Sequence, residues 1–197
     1  MELTPLIQKA IDLAAKLHLG QRRKGKEGLP YISHPFSVAW ILSNYTEDEE
    51  IIAAALLHDV LEDVKGYSFD DLARDFNPRV AELVKEVSED KDPNIEEDAK
   101  ATWERRKQNY LDNLCDDSQG ALMICAADKI HNIRSTIQGY DEYGEKFWDF
   151  FNSPAERRIW FYDEIYAILL PRLDSPIVLV LKNELERLKE YLAYTKT

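Results

Sequence analysis

The sequence predicts an all-α protein, a helical bundle of about eight or more helices, and three observations carry that prediction. Apolar residues recur at three- and four-residue spacing through most of the chain. No stretch alternates apolar and polar residues as a half-buried strand would. Helix-start signatures recur as well, since Thr4-Pro5, Asn77-Pro78, Ser153-Pro154 and Ser175-Pro176 each place a capping side chain ahead of a proline suited to the first turn.

The first helix follows Thr4-Pro5, with Leu6, Ile7, Ala10, Ile11, Ala14 and Leu17 on one face, and stops by Gly20. QRRKGKEGLPYISHP then reads as a loop, broken by Gly25, Gly28 and Pro30, with Ser33 placed to cap a second helix near Pro35. Thr46 and Glu49 form a capping-box signature ahead of IIAAALLHDVLED, which is apolar on nearly every face and therefore central. Ser68 to Asp71 repeats the cap pattern before Leu72, Ala73 and Phe76, and Asn77-Pro78 opens a helix bearing Val80, Ala81, Val84 and Val87. Residues 88–99 are polar and acidic and read as an exposed loop. Helical patterns resume around 100–114, 119–138, 154–172 and 176–194, and VLVL at 178–181 joins the last of these because Leu185, Leu188 and Leu192 continue it. There are no internal repeats and no obvious linker, so one domain over 1–197 is expected.

Charge narrows the function. With 25 Lys and Arg against 37 Asp and Glu the net charge is −12, a field that repels nucleic acid and anionic membranes. Neither a secretory leader nor an apolar run long enough to span a bilayer is present, and a cytoplasmic protein is expected. Cys115 and Cys125 are too few for a disulfide framework and read as buried free thiols.

His58-Asp59 follows AAALL directly, with Glu62 and Asp63 one turn on. Three carboxylates crowded beside buried apolar residues repel one another and lose hydration unless a cation compensates them. The bland alternative is a helix end emerging into solvent, which suits Glu62 and Asp63 better than it suits His58 and Asp59. ADKIHNIRS at 127–135 again follows an apolar run and sets Asp128 and Asn132 four apart on one face, and His34 stands at the start of the second helix. Together His34, His58, Asp59 and Asp128 supply two imidazoles and two carboxylates, a set suited to a divalent transition ion with positions left open for water. A helical bundle can converge such ligands in its core. Arg22, Arg23, Lys24 and Lys26 form the densest basic run, a plausible receiver for a multiply phosphorylated molecule. Arg105-Arg106-Lys107 reads instead as a solvated helix face.

The pattern H…HD…D, with HDVLED, resembles the HD-domain metal-dependent phosphohydrolases. QRRKGKEGLPYISHP, AALLHDVLEDV and ADKIHNIRS resemble more closely the single-domain alarmone hydrolases of the RelA/SpoT homologue family, over roughly residues 5–172. The resemblance implies an all-α hydrolase, usually with Mn²⁺, that removes the 3′-diphosphate from guanosine 3′,5′-bis(diphosphate) or its 5′-triphosphate relative and releases pyrophosphate. By that resemblance His34, His58, Asp59 and Asp128 match metal ligands, Glu62 and Asp63 the catalytic acidic pair, and Arg23, Lys24, Asn132 and Arg134 substrate-contacting positions.

Two departures bear on substrate, because Gly25 stands where bifunctional relatives often carry a hydroxyl residue and Ser135 where many carry Thr. A chain of this length is expected to lack alarmone synthesis. The helix over 176–194 lies largely outside the resemblance and could pack on the core or on another subunit. Two alternatives remain at this stage: the same chemistry on another nucleotide, such as a nicotinamide dinucleotide phosphate or a deoxynucleotide, and a non-catalytic HD module that binds a nucleotide.

Overall fold

The computed structural model describes residues 2–25, 28–89 and 100–195. Its elements are α1 (Pro5–Leu17), α2 (Ser33–Leu42), α3 (Glu49–Leu57), α4 (Val60–Asp63), α5 (Phe69–Asp75), α6 (Pro78–Val87), α7 (Trp103–Leu114), α8 (Gln119–Tyr143), a 3₁₀ helix (Gly144–Phe150), α9 (Ala155–Arg172) and α10 (Ile177–Thr195). Among the described residues the only β pairing is an isolated antiparallel bridge between Arg22 and Pro30.

The centre of the bundle is α8, a 25-residue helix buried around most of its circumference from Ala121 to Ile130. α2, α3, α6, α9 and α10 all pack on it, with α3 also touching α2 and α6, and α9 touching α10. Every residue of α3 from Ile51 to Leu57 is buried, as an apolar all-round helix requires. α10 buries Leu181, Leu185, Leu188 and Leu192, each contributing about 1.5–3 kcal/mol through removal from water, and its partners are α8 and α9 of the same chain.

Several local expectations hold. Thr4 Oγ1 accepts from the Ile7 N–H, Asn77 Oδ1 accepts from Val80, and Ser68 and Asp71 form a reciprocal capping box. Others are corrected. Thr46 does not cap α3. Its hydroxyl accepts from Asp48, and Asp48 is the cap, taking the Glu50 and Ile51 N–H groups. Ser33 sits inside α2, where its hydroxyl donates to the Pro30 carbonyl. Ser153 is buried without a hydrogen-bond partner, and α9 begins at Ala155 behind Pro154. Cys115 is exposed and only Cys125 is buried.

Two corrections matter for the site. The helix expected through HDVLED is interrupted, since Asp59 takes φ −94° and ψ −3° between α3 and α4, in the sparsely populated bridge region common at functional residues. The segment read as an exposed loop from residue 88 begins with a buried carboxylate, because Glu89 pairs with Arg106 and Lys107, while 90–99 lie outside the described residues. Arg106 and Lys107 are accordingly not a solvated face. Their guanidinium and ammonium groups close onto Glu89 at the junction of α6 and α7.

Candidate metal centre and cleft

Four side chains from three parts of the fold converge. His34 comes from the first turn of α2, His58 and Asp59 from the break between α3 and α4, and Asp128 from the middle of α8. His34 Nε2 lies 3.2 Å from His58 Nε2 and 3.1 Å from Asp128 Oδ1. Asp59 Oδ2 lies 3.5 Å from His34 Nε2 and 3.1 Å from His58 Nε2. His58 Nε2 is 3.9 Å from Asp128 Oδ1.

The tautomers say what such a cluster can hold. His58 Nδ1 donates to the Ala55 carbonyl at 2.8 Å, so in the neutral ring Nε2 carries the lone pair. His34 and His131 share a proton between their Nδ1 atoms across 2.7 Å, which leaves His34 Nε2 available in the tautomer where His34 donates. His34, His58 and Asp59 form a mutually close ligand group with Asp128 Oδ1 beside the two imidazoles; lone pairs and carboxylate oxygens so crowded repel unless a cation lies among them, and this nitrogen and oxygen donor set fits a divalent transition ion. The ligands are themselves held. Tyr31 donates to Asp59 Oδ2 at 2.6 Å, Asn132 donates to Asp128 Oδ1 at 2.6 Å, and Lys129 donates to Asp128 Oδ2 at 2.6 Å. Such outer hydrogen bonds fix ligand orientation in metal sites.

Electrostatics of the metal-free cluster follow from burial and crowding. Burial alone would lower His58, but Asp59 and Asp128 overcome it and push it up to about 9. His34, buried as deeply, is lowered by desolvation against the pull of Asp128 and Asp59. Desolvation works to raise Asp128, yet Lys129 and the two histidines hold it well below the usual carboxylate range.

Glu62 and Asp63 part company. Glu62 is half-buried, and its Oε1 accepts the Glu89 backbone N–H at 2.7 Å. Burial, then the charges of Glu89, Asp59 and Asp63, push its carboxyl up to about 8. Asp63 lines a cleft of about 560 Å³ together with Arg22, Arg23, Lys24, Tyr31, Asn132, Phe147 and Arg158. The bridge between Arg22 and Pro30, with Arg23 N–H donating to the Leu29 carbonyl at 3.0 Å, holds the basic loop over this cleft.

Arg23, Lys24 and Asn132 therefore meet in one cavity, and Arg23 Nη2 donates to Asn132 Oδ1 at 3.3 Å. Arg134 does not join them, since it faces a neighbouring groove and pairs with Glu184 of α10 at 2.8 Å. Lys26 lies outside the described residues. Sequence reasoning singled out none of Tyr31, Lys129, His131, Phe147 and Arg158, although the first three lie inside the quoted motifs. Arg158, whose guanidinium stacks 4.2 Å from the Phe151 ring centroid and whose Nε is buried without a partner, faces the cleft from α9. The departure at Gly25 has a structural cause, because it adopts φ +66° and an added Cβ would lie 2.6 Å from Phe147.

A model of the HD domain family matches residues 10–147. Among curated relatives, the human guanosine-3′,5′-bis(diphosphate) 3′-pyrophosphohydrolase MESH1 is 37% identical over 142 residues, 68% of this chain and 74% of that protein. The bifunctional (p)ppGpp synthase/hydrolase SpoT of Escherichia coli is 35% identical over 129 residues, 66% of this chain and 18% of that one. A solved structure described as a metazoan orthologue of SpoT that hydrolyses ppGpp and acts in starvation responses superposes with a TM-score of 0.72. It is 28% identical, and the match covers 95% of this chain and 97% of that one. With its helical fold, its converging His, His, Asp and Asp side chains and these likenesses, the chain belongs to the HD domain family, alongside the MESH1 pyrophosphohydrolases.

Proposed function

We propose that the protein hydrolyses guanosine 3′,5′-bis(diphosphate), or its 5′-triphosphate relative, at the 3′ position, releasing pyrophosphate and GDP or GTP. One observation carries the reading: in a chain of net charge −12, Arg22, Arg23, Lys24 and Arg158 line a single cleft whose Tyr31 and Asn132 hydrogen-bond Asp59 and Asp128 of the histidine–aspartate cluster. Such a basic pocket beside paired imidazoles and carboxylates suits a multiply phosphorylated substrate. The kinship with MESH1 supplies the substrate class.

A divalent ion, Mn²⁺ in this reading, would be held by His34 Nε2, His58 Nε2, Asp59 and Asp128, and would supply Lewis acidity toward water and phosphate oxygens. The remaining steps fall to this chain's side chains. Arg23, Lys24 and Arg158 bind phosphate oxygens, and Tyr31, Phe147 and Phe151 offer ring faces to the base. Asn132 fixes both Asp128 and Arg23. Water attacks the phosphorus next to the ribose, the bond from that phosphorus to O3′ breaks, and the electron pair leaves on O3′. Asp63, lining the cleft, takes the proton from water. Glu62, whose carboxyl is pushed up to about 8, carries a proton at neutral pH and delivers it to O3′. The free thiols at Cys115 and Cys125 suit a reducing, cytoplasmic setting.

The test is product analysis of Mn²⁺-loaded protein with guanosine 3′,5′-bis(diphosphate). Pyrophosphate and GDP should appear with the wild type and not with Asp59→Ala, whose circular dichroism stays helical. Inorganic phosphate as the sole product, or no turnover beside turnover of another nucleotide, would overturn the substrate assignment. Nucleotide binding without hydrolysis by either protein would favour a non-catalytic module.

A further inference from the structure

A second groove of about 590 Å³ runs between α2 and α8 on the far side of Arg23. Phe36 and Trp40, four residues apart on one face of α2, form one wall, and Leu29 of the basic loop closes an end. Trp40 is 68% exposed, Phe36 38% and Leu29 39%, so three large apolar side chains meet water in one place. Such a concentration marks a binding surface more often than chance exposure does. The opposite wall carries Arg134 and His131 from α8, and Arg23 stands between this groove and the cleft. None of the residues lining the groove is acidic, in a chain of net charge −12.

Aromatic faces opposite guanidinium groups suit a ligand that is aromatic at one end and anionic at the other. The ion pair of Arg134 with Glu184 engages its Nε and Nη2 and leaves Nη1 outside the pair. Two side chains connect the groove to the metal centre. Arg23 donates to Asn132 in the cleft, and His131 shares a proton with His34. We propose that this groove is a second site for a nucleoside 5′-phosphate, its base stacked on Trp40 and Phe36 and its phosphates held by Arg134 and Arg23. An occupant that draws on Arg23 competes with the Arg23 to Asn132 hydrogen bond, so binding here and binding in the cleft oppose one another, equally in both directions.

The experiment is a titration of metal-free protein with GDP, followed by tryptophan emission, with Trp40→Phe isolating the signal of Trp40. The expected result is a Trp40-specific quench by GDP that persists in Asn132→Ala, which cripples the cleft. Calorimetry on the wild type should give two equivalents bound, and on Trp40→Ala one. No Trp40-specific quench, a quench abolished by Asn132→Ala, or two equivalents retained by Trp40→Ala would each overturn the proposal. An equal quench by inorganic phosphate alone would overturn recognition of the base. Since no hydrolysis enters the measurement, an absence of pyrophosphate release from the Mn²⁺-loaded enzyme leaves this result standing.

Discussion

The Glu89 backbone N–H donates to Oε1 of Glu62 across 2.7 Å, although the two residues are 27 positions apart. The Glu89 side chain is at the same time pinned by Arg106 and Lys107, so a buried ion cluster between α6 and α7 fixes where the Glu62 carboxyl sits. That carboxyl is partly shielded from solvent and sits among negative neighbours, which favours its protonated form.

This makes Glu62 a pH-dependent group. Its ordinary value near 4.5 is pushed up to about 8 in the fold. The native state then binds the proton more tightly than the unfolded chain does, so the stability contribution is complete below about pH 4.5 and is lost as pH rises toward 8. Urea denaturation of the metal-free protein should show stability falling over this interval, and Glu62→Gln should flatten the slope. In the enzyme, Glu62→Gln should lower kcat by about 10²–10⁴-fold while leaving metal content unchanged. An unaltered kcat would remove Glu62 from the reaction.

Metal binding should release protons. His58 is pushed up to about 9 in the metal-free cluster by Asp59 and Asp128 against the effect of burial, and a metal must displace its Nε2 proton. Apparent Mn²⁺ affinity should therefore climb with pH through neutrality, about tenfold per unit for one released proton, and level off above about 9. Calorimetry in buffers of different ionisation enthalpy at neutral pH measures the proton count. Zero protons released would contradict the arrangement.

Lys129 compensates Asp128 in the absence of metal, with its ammonium 2.6 Å from Oδ2. Lys129→Met leaves a buried carboxylate without that partner and should destabilise metal-free protein by about 3–5 kcal/mol. Mn²⁺ restores a positive charge nearby, so the Tm rise on loading should be larger in Lys129→Met than in wild type. Equal rises in thermal melts would show that the lysine and the metal do not share Asp128.

Phe147 is wedged against glycines on two sides. An added Cβ at Gly139 would lie 2.0 Å from the Phe147 ring and one at Gly25 2.6 Å. Gly139→Ala should therefore displace Phe147 from the cleft, costing about 1–3 kcal/mol of stability and raising KM more than it lowers kcat. Steady-state kinetics beside a denaturation curve decide it. An unchanged KM would mean that the ring does not meet the substrate.

The acidic half of the site was readable because charged residues inside apolar segments conflict with their local surroundings. His58-Asp59 after AAALL and Asp128 after an apolar run carry that conflict in one dimension. Tyr31 and Arg158 carry no such signal, since a tyrosine in a loop or an arginine on a helix fits its local context whether or not it faces a cleft.

By itself the sequence determined the helical class, most helix starts, the apolar helix destined for the core, and the four residues whose chemistry suits a metal, because spacing, capping and charge beside apolar runs are local properties. Tertiary structure decided the rest. It broke the helix at Asp59, tied the Glu62 carboxyl to the Glu89 amide and turned Arg106 and Lys107 inward. It also kept Arg134 out of the cleft that Arg23 shares with Lys24 and Asn132. Each of these depends on which helix packs against which, and a side chain's burial, partner and protonation state are fixed by neighbours that lie far away in the chain.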